Sequence, residues 1–458
     1  MSNIPMRATI LWLIVFSFFY THAQAVQFPL RVSSNGRHLV DHHDAPFFVL
    51  CDTAWILNEA TTLEQAKVYL DDCAEKEFSV VHAAIYFDGP FDRTKITHPD
   101  IDHFQKIKDT VAYARQKGIA VNLIPAWMGW RGESWGTLFT DLSQTEIENY
   151  ATFIANQFRE FDNVIYSVGG DYNPDFDPRT KQRDANYLKG YQIGNWMGHA
   201  LKRAHPQALC MYFSQGGYPS SQFFGKESWC DFHFVQFKDA NHAQQYRLIK
   251  RDYEFHPTKP TYLGEFAYEY RFEGQRWPKT TPLQIRRSAY WALTSGACGY
   301  TYGRRGLWHF NSKAPYKVHR PWQDLLDCEL SPGRCHMTQF ARMFKRLDWH
   351  RLDPYHVNNL VTMGADEGTT EFTSSAIARD GSFAVAYFPT KKTSTMDLSK
   401  LAGDQIEAQW FDPVSGRYHN VSGSPFDRVQ VPITPPGENS EGSTDWVLIL
   451  HSVLDVED

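Results

Sequence analysis

The chain has 458 residues, 42% of them hydrophobic and 21% charged, a globular composition with length enough for a full barrel plus a smaller domain. A net charge of −6 with no basic run argues against nucleic acid and anionic membrane surfaces as partners. Aromatic residues reach 15%, with 14 Trp and 23 Tyr; such an excess serves either a large core or flat apolar platforms for sugar rings.

Residues 1–25 read as an export signal. Arg7 precedes the apolar run 8–20, which is short for a membrane span, and Ala23-Gln24-Ala25 supplies a small-residue cleavage site. Cleavage near Ala25 sends the mature chain to the periplasm or the exterior. No other stretch is long and apolar enough to cross a membrane.

Residues 28–40 read as a β-ribbon turning at Asn35-Gly36. An alternation then begins: strand 47–51, helix 62–76, strand 80–87, helix 102–117 with Gly118 as C-cap, strand 120–127, helix 145–161 and strand 164–171. It continues with helix 186–204, strands 208–214 and 232–237, helix 243–255, strand 261–265, helix 282–294 opening on a proline, strand 298–302 and helix 337–347. Eight strands alternating with helices predict an α/β fold, a (β/α)8 TIM barrel over residues 26–354 that includes the ribbon. A doubly wound open sheet is the rival, but it usually opens with a Gly-rich phosphate loop and none is present. After Asp353-Pro354 the period becomes two: 382–388, 406–411, 428–433 and 446–451 are strand-like and separated by turns such as Asp412-Pro413-Val414-Ser415-Gly416. Residues 355–458 thus read as a small β-sandwich that packs on the barrel.

Of the seven cysteines, Cys328 and Cys335 bracket a Pro-Gly loop and suit a disulfide, while Cys210 and Cys298 lie in predicted strands and read as buried thiols. The scattered histidines show no metal-ligand spacing, so no metal and no organic cofactor is expected. The run 171–177 brushes against a calcium loop, but Phe176 stands where that motif wants Gly and Gln182 where it wants Glu.

The candidate chemistry lies at strand ends. Residues 164–171 are an apolar run that stops at two glycines and a carboxylate, Asp171, and residues 260–265 are a second such stretch with Glu265 at its end. In a barrel of this kind the C-terminal strand ends form the catalytic face, and a pair of carboxyl groups there is the equipment of glycosidic bond cleavage. Asp171 and Glu265 are therefore the catalytic candidates, with Glu269 a rival one turn further on. The competing reading gives Asp171 to a turn and Glu265 to an ion pair, for instance with Arg271. Other groups expected at the same face are Asp52, Trp55, His82, Tyr86, Asp88, Trp127, Gln215, Gln236, Tyr268, Glu269, Tyr302 and Trp308, read as contacts for a poly- or oligosaccharide.

These residues carry a resemblance. The opening PLRVSSNGRHLVDHHDAPFFVLCDTAW, the stretch NVIYSVGGD and the stretch KPTYLGEFAYE resemble the apiosidase-like family, glycoside hydrolase family 140 and its relatives, and the tail motifs WFDPVSGRY and DWVLIL resemble the collagen-binding-type β-sandwich that follows the barrel there. The resemblance implies an exported, retaining glycoside hydrolase acting on plant or algal polysaccharide side chains, with Asp171 as acid/base and Glu265 as nucleophile. Phe266 departs from the pattern, because relatives commonly carry Pro after this Glu. The alternative function is a carbohydrate- or matrix-binding protein on a catalytically dead barrel; hydrolysis of any glycan separates the two.

Overall fold

The computed structural model describes residues 26–453 apart from 90, 185–186, 241–244, 271–279, 314–317 and 356–359; the expected export signal and Arg271 lie outside the described residues. Eight parallel strands form one sheet: β1 (Val49–Thr53), β2 (Val80–Ala84), β3 (Ala120–Ile124), β4 (Val164–Gly169), β5 (Leu209–Phe213), β6 (His233–Gln236), β7 (Thr261–Glu265) and β8 (Gly299–Tyr302). Their order is β5-β4-β3-β2-β1-β8-β7-β6. A bridge between Met211 and Phe232, and the Asp231 N–H donating to Cys210 O at 2.7 Å, bring β5 back toward β6. This is a nearly closed (β/α)8 barrel.

The helices follow the strands: α1 (Leu63–Glu75), α2 (Ile101–Gln116), α3 (Gln144–Phe158), α4 (Lys189–Ala204), the single turn α5 (Ser221–Phe224), α6 (Gln245–Tyr253), α7 (Pro282–Thr294) and α8 (Pro332–Arg346). Local sequence starts them. Thr62 with Gln65, Ser143 with Glu146 and Thr281 with Gln284 each form a reciprocal capping box. α1 turns Ala66, Tyr69, Leu70 and Cys73 inward, the spacing of one helical face. No periodic signal marked α5, which is too short to carry one. The last helix starts earlier than the sequence suggested. Pro332 needs no N–H in a first turn, and Gly333 leaves room where a Cβ would meet the Glu269 carboxyl at 2.9 Å. Cys328 and Cys335 are joined in a disulfide, with Cα atoms 5.7 Å apart. Cys51, Cys73, Cys210, Cys230 and Cys298 are buried free thiols.

An N-terminal ribbon of Arg31–Val32, Leu39–Val40 and Pro46–Phe47 precedes the barrel and buries Leu39 and Phe47 in its core. Beyond the barrel lie two antiparallel sheets. The larger contains β9 (Ser374–Ala378), β10 (Phe383–Phe388), β11 (Gln405–Phe411) and β12 (Trp446–Val453) in the order β9-β10-β12-β11, and Leu352–Asp353 already pairs with β9. The smaller joins Val361–Met363, Ser394–Asp397 and Gln430–Ile433. Strand β10 explains the packing: Phe383, Val385 and Tyr387 face the barrel's core, while Ala384, Ala386 and Phe388 face the core between the two sheets. Helix α7 is wedged between barrel and sheet and is buried from Ile285 to Thr294. Tyr290 stacks on Tyr387 at 4.9 Å, and Trp291 donates its indole N–H to Phe372 O at 2.9 Å. Among the described residues no helix is long and apolar enough to cross a membrane.

Between barrel and sheet, the fully buried Arg286 gives Asp445 two hydrogen bonds of 2.8 Å, and Asp445 also accepts from Tyr387 Oη at 3.0 Å and Asn439 Nδ2 at 2.8 Å. Arg286 keeps Glu441 and His336 on its other nitrogen, but Asp445→Ala removes its fully buried two-bond partner and is expected to cost about 3–5 kcal/mol of stability in urea unfolding. The double replacement Arg286→Met with Asp445→Leu is expected to lose less than Asp445→Ala alone. A loss under about 1 kcal/mol for Asp445→Ala, the level of an exposed pair, would contradict this account.

Candidate active site

The turn after β4 is built from residues that tolerate positive φ. Gly169, Gly170 and Asp171 have φ of 106°, 95° and 55°. A Cβ on Gly169 would lie 2.7 Å from Phe213 O, and one on Gly170 would press on the Trp127 ring at 3.1 Å. Only glycine fits both positions, and aspartate is among the few side chains that accept the left-handed region. The result delivers Asp171, 7% exposed, to the C-terminal mouth of the barrel. Its Oδ2 is ion-paired with Lys238 Nζ. Its Oδ1 is buried and accepts no hydrogen bond among the described residues.

Glu265 ends β7 and is 4% exposed. Between β6 and β7 the register slips, so that Val235 opposes Leu263 but Gln236 opposes Glu265. Gly264 lies in the skipped position, where a Cβ would strike the Phe234 ring. Such irregularities re-aim side chains, and here the slip puts the Gln236 amide on Glu265 Oε2. Tyr268 Oη donates to Glu265 Oε1 at 2.7 Å and receives the Trp55 indole N–H in turn. Both oxygens of Glu265 are thus held by neutral donors, whereas Asp171 meets a cation.

Asp171 and Glu265 line one cleft of about 430 Å³ together with Trp55, Trp127, Tyr268 and Trp308, a volume in the range of small-molecule sites. Rings form its wall: Trp55 lies 5.0 Å from Trp127, Phe87 4.7 Å from Trp127, and Tyr268 stacks on Trp308 at 6.1 Å. Flat rings beside carboxyl groups suit a ligand with apolar faces and polar edges.

Several residues expected to touch a ligand do not line this cleft. Asp52 is fully buried on the helix side of β1, accepting from Tyr69 Oη at 2.7 Å and from Arg334. Burial pushes its carboxyl up, against the pull of Arg334. His82 is fully buried beneath Trp55, stacked at 5.0 Å. Tyr86 stacks on His103 at 5.0 Å. Tyr302 and Glu269 are fully buried and bonded to each other, and Glu269 also accepts the Gly333 N–H at 2.8 Å. Burial pushes the Glu269 carboxyl up, opposed by these two donors. Asp88 reaches the cleft only through its ion pair with Lys313. Gln236 acts on Glu265, and Gln215 binds Asn173 Oδ1 through its backbone N–H at 3.0 Å. Conversely, Phe87, Trp130, Glu133, Lys238, Phe266, Arg305 and Lys313 line the cleft and were not among the expected contacts. Lys238 follows a strand end by two residues, a signal open to reading. Trp130 and Glu133 sit in the long β3–α3 connection, which has no periodicity. Among the described residues no group of His, Cys, Asp or Glu is arranged to hold a metal ion.

A family model described as "Apiosidase-like, catalytic domain" matches residues 33–351, and one described as "Putative collagen-binding domain of a collagenase" matches residues 361–451. A solved structure titled as a glycoside hydrolase is 19% identical with a TM-score of 0.78, covering 94% of this chain and 99% of that one. A glycoside hydrolase family 5 protein from Bacteroides vulgatus is 18% identical with a TM-score of 0.79, covering 93% and 94%. An exo-β-1,4-mannosidase from an Opitutaceae bacterium is 15% identical with a TM-score of 0.50, covering 69% and 62%. These likenesses concern the fold. No curated protein matches the chain.

Burial under the cleft has a pH consequence. His82 is lowered to about 3 by desolvation, and its Nδ1 accepts the Asn122 amide. His233 and His336 are also lowered to about 3, again mainly by burial. The unfolded chain binds protons on these rings below about pH 6.5 and the folded chain refuses them, so their stabilisation is present above that pH and is lost as pH falls. Asp252, raised to about 7 by burial, acts in the opposite sense between about pH 4 and 7. The buried carboxyls of Asp52 and Glu269, also raised, act in the same sense as Asp252, so the imidazoles are read one by one. In an NMR pH titration of the folded protein the His82, His233 and His336 rings are expected to stay neutral at about pH 5; rings that take up a proton near the ordinary value of about 6.5 would overturn the assignment of neutral buried imidazoles.

Proposed function

The chain belongs to the apiosidase-like family of glycoside hydrolases, and on that footing we propose that it is exported and cleaves a glycosidic bond in plant or algal polysaccharide side chains with retention of configuration. The observation that carries the reading is the meeting of Asp171 and Glu265 in one aromatic-walled cleft, one beside a lysine and the other between two neutral donors. Two carboxyl groups in unlike surroundings are what a division into acid/base and nucleophile needs. The Cys328–Cys335 disulfide supports export, since such bonds persist in oxidising compartments.

In this mechanism Glu265 attacks the anomeric carbon while the bond to the leaving oxygen breaks, and Asp171 protonates that oxygen. Tyr268 and Gln236 keep Glu265 aimed. The Asp171 carboxylate then takes a proton from water, which attacks the glycosyl ester and releases Glu265. Trp55, Trp127 and Trp308 offer their faces to the sugar. Glu269 is assigned to holding the loop that bears Tyr268.

A hydrolysis screen of branched pectic and algal glycans, with products identified by mass, tests the activity. The roles are tested by azide. Glu265→Ala is expected to abolish turnover and, with azide, to give a glycosyl azide of inverted configuration. Asp171→Ala is expected to slow natural glycosides by on the order of 10²–10⁴-fold, to spare the first step on an aryl glycoside with an acidic phenol, and to give a retained azide product. Glu269→Gln is the control. Nucleophile behaviour at Glu269, or near-normal rates per folded molecule in both alanine variants, would defeat the proposal.

A further inference from the structure

We propose that Lys238 is a positioning residue for Asp171, fixing the direction of its carboxyl group; this rests on the reading of Asp171 as acid/base. The stretch just past β6 touches both carboxylates. Gln236 donates its amide to Glu265 Oε2, the Phe237 N–H donates to Glu265 O at 3.0 Å, and Lys238 Nζ pairs with Asp171 Oδ2. The register slip between β6 and β7 sets this stretch opposite the end of β7. One short segment therefore fixes the two carboxyl groups relative to each other.

The backbone of Asp171 is already fixed by three successive positive φ values, but its side chain is not. Oδ1 is buried and has no hydrogen-bond partner among the described residues, so the lysine holds this carboxyl by Oδ2. Lys238 is itself lodged, its side chain 24% exposed against 10% for Asp171. The other charged groups of the cleft are Glu133 after β3, Glu265 on β7, and Arg305 and Lys313 after β8; Lys313 is committed to Asp88.

An acid/base group delivers and collects its proton efficiently only when its oxygen is held in line with the reacting atoms, and a misplacement of about 1 Å can cost about 10²-fold. Lys238 supplies that hold from the segment that also aims Glu265, so its loss should slow the step that needs a proton and spare the one that does not.

The test is kcat and KM for the wild type, Lys238→Met, Lys238→Arg and Asp171→Asn on two glycosides of the sugar that the wild type releases: the methyl glycoside, whose methanol leaving group requires a proton, and an aryl glycoside with an acidic phenol, whose first step does not. Lys238→Met is expected to lower kcat/KM on the methyl glycoside by on the order of 10–10²-fold, with an unchanged KM for it and an unchanged melting temperature, and to leave kcat/KM on the aryl glycoside nearly unchanged; Lys238→Arg is expected to restore the loss. If Asp171→Asn shows this split between the two glycosides but Lys238→Met does not, the inference about Lys238 fails alone. An equal loss on both glycosides, or a raised KM, makes Lys238 a substrate contact and overturns the proposal. If Asp171→Asn treats the two glycosides alike, the acid/base reading falls, and the role of Lys238 with it.

Discussion

The buried guanidinium of Arg334 ties the barrel's closing helix back to its first strand and first helix. Strand β7 meets β8 through the single register pair Leu263–Tyr300, whereas β4 and β5 share five such pairs. Side chains take over beyond that point. Arg334 reaches from the first turn of α8 to Asp52 at the end of β1 and to Asp72 on α1, with bonds of 2.8 and 2.7 Å to the latter. One residue earlier, Gly333 gives its N–H to Glu269, which also accepts from Tyr302 at the end of β8. The last helix is thereby tied to the first strand, the first helix and the loop after β7. Buried charges are expensive unless paired, and here each is paired across elements that are distant in sequence.

This arrangement reaches the cleft through a short loop. Glu265 and Glu269 bracket Tyr268, whose hydroxyl holds Glu265. With Glu269 fixed by Gly333 and Tyr302, the loop has an anchor at each end, and Tyr268 is set between Trp55 and Glu265. A side chain that meets a ligand must keep its direction to within about 0.5 Å. The buried polar contacts below supply that rigidity without occupying the cleft.

Much of this was legible in the sequence, for identifiable reasons. Strand ends followed by Gly-Gly-Asp or preceded by Gly mark both carboxyl groups, because the glycines answer to close backbone and ring contacts. The eight strands, the capping boxes and the period-two tail follow from local pattern. What failed was depth and side. Asp52 and Tyr302 stand at strand ends, yet the pleat alternates side chains across the sheet, and both turn toward helices and their buried partners. His82 points inward but lies a layer below, beneath Trp55. Pro332-Gly333 reads as a loop until Glu269 is seen occupying the space a side chain would need.

The same logic separates the two glutamates after β7. On sequence alone they differ only by one turn of a loop, and each could serve as the second carboxyl group. In the folded chain Glu269 is wholly buried, takes the N–H of a helix's first turn, and has a carboxyl raised by burial. Glu265 faces the aromatic cleft and accepts from two neutral donors, Gln236 and Tyr268. A group that meets a ligand must be reachable from the cleft, whereas an anchor must be unreachable and fully bonded. The two residues differ in this way because β7 ends at Glu265 and the barrel's closing helix begins against Glu269.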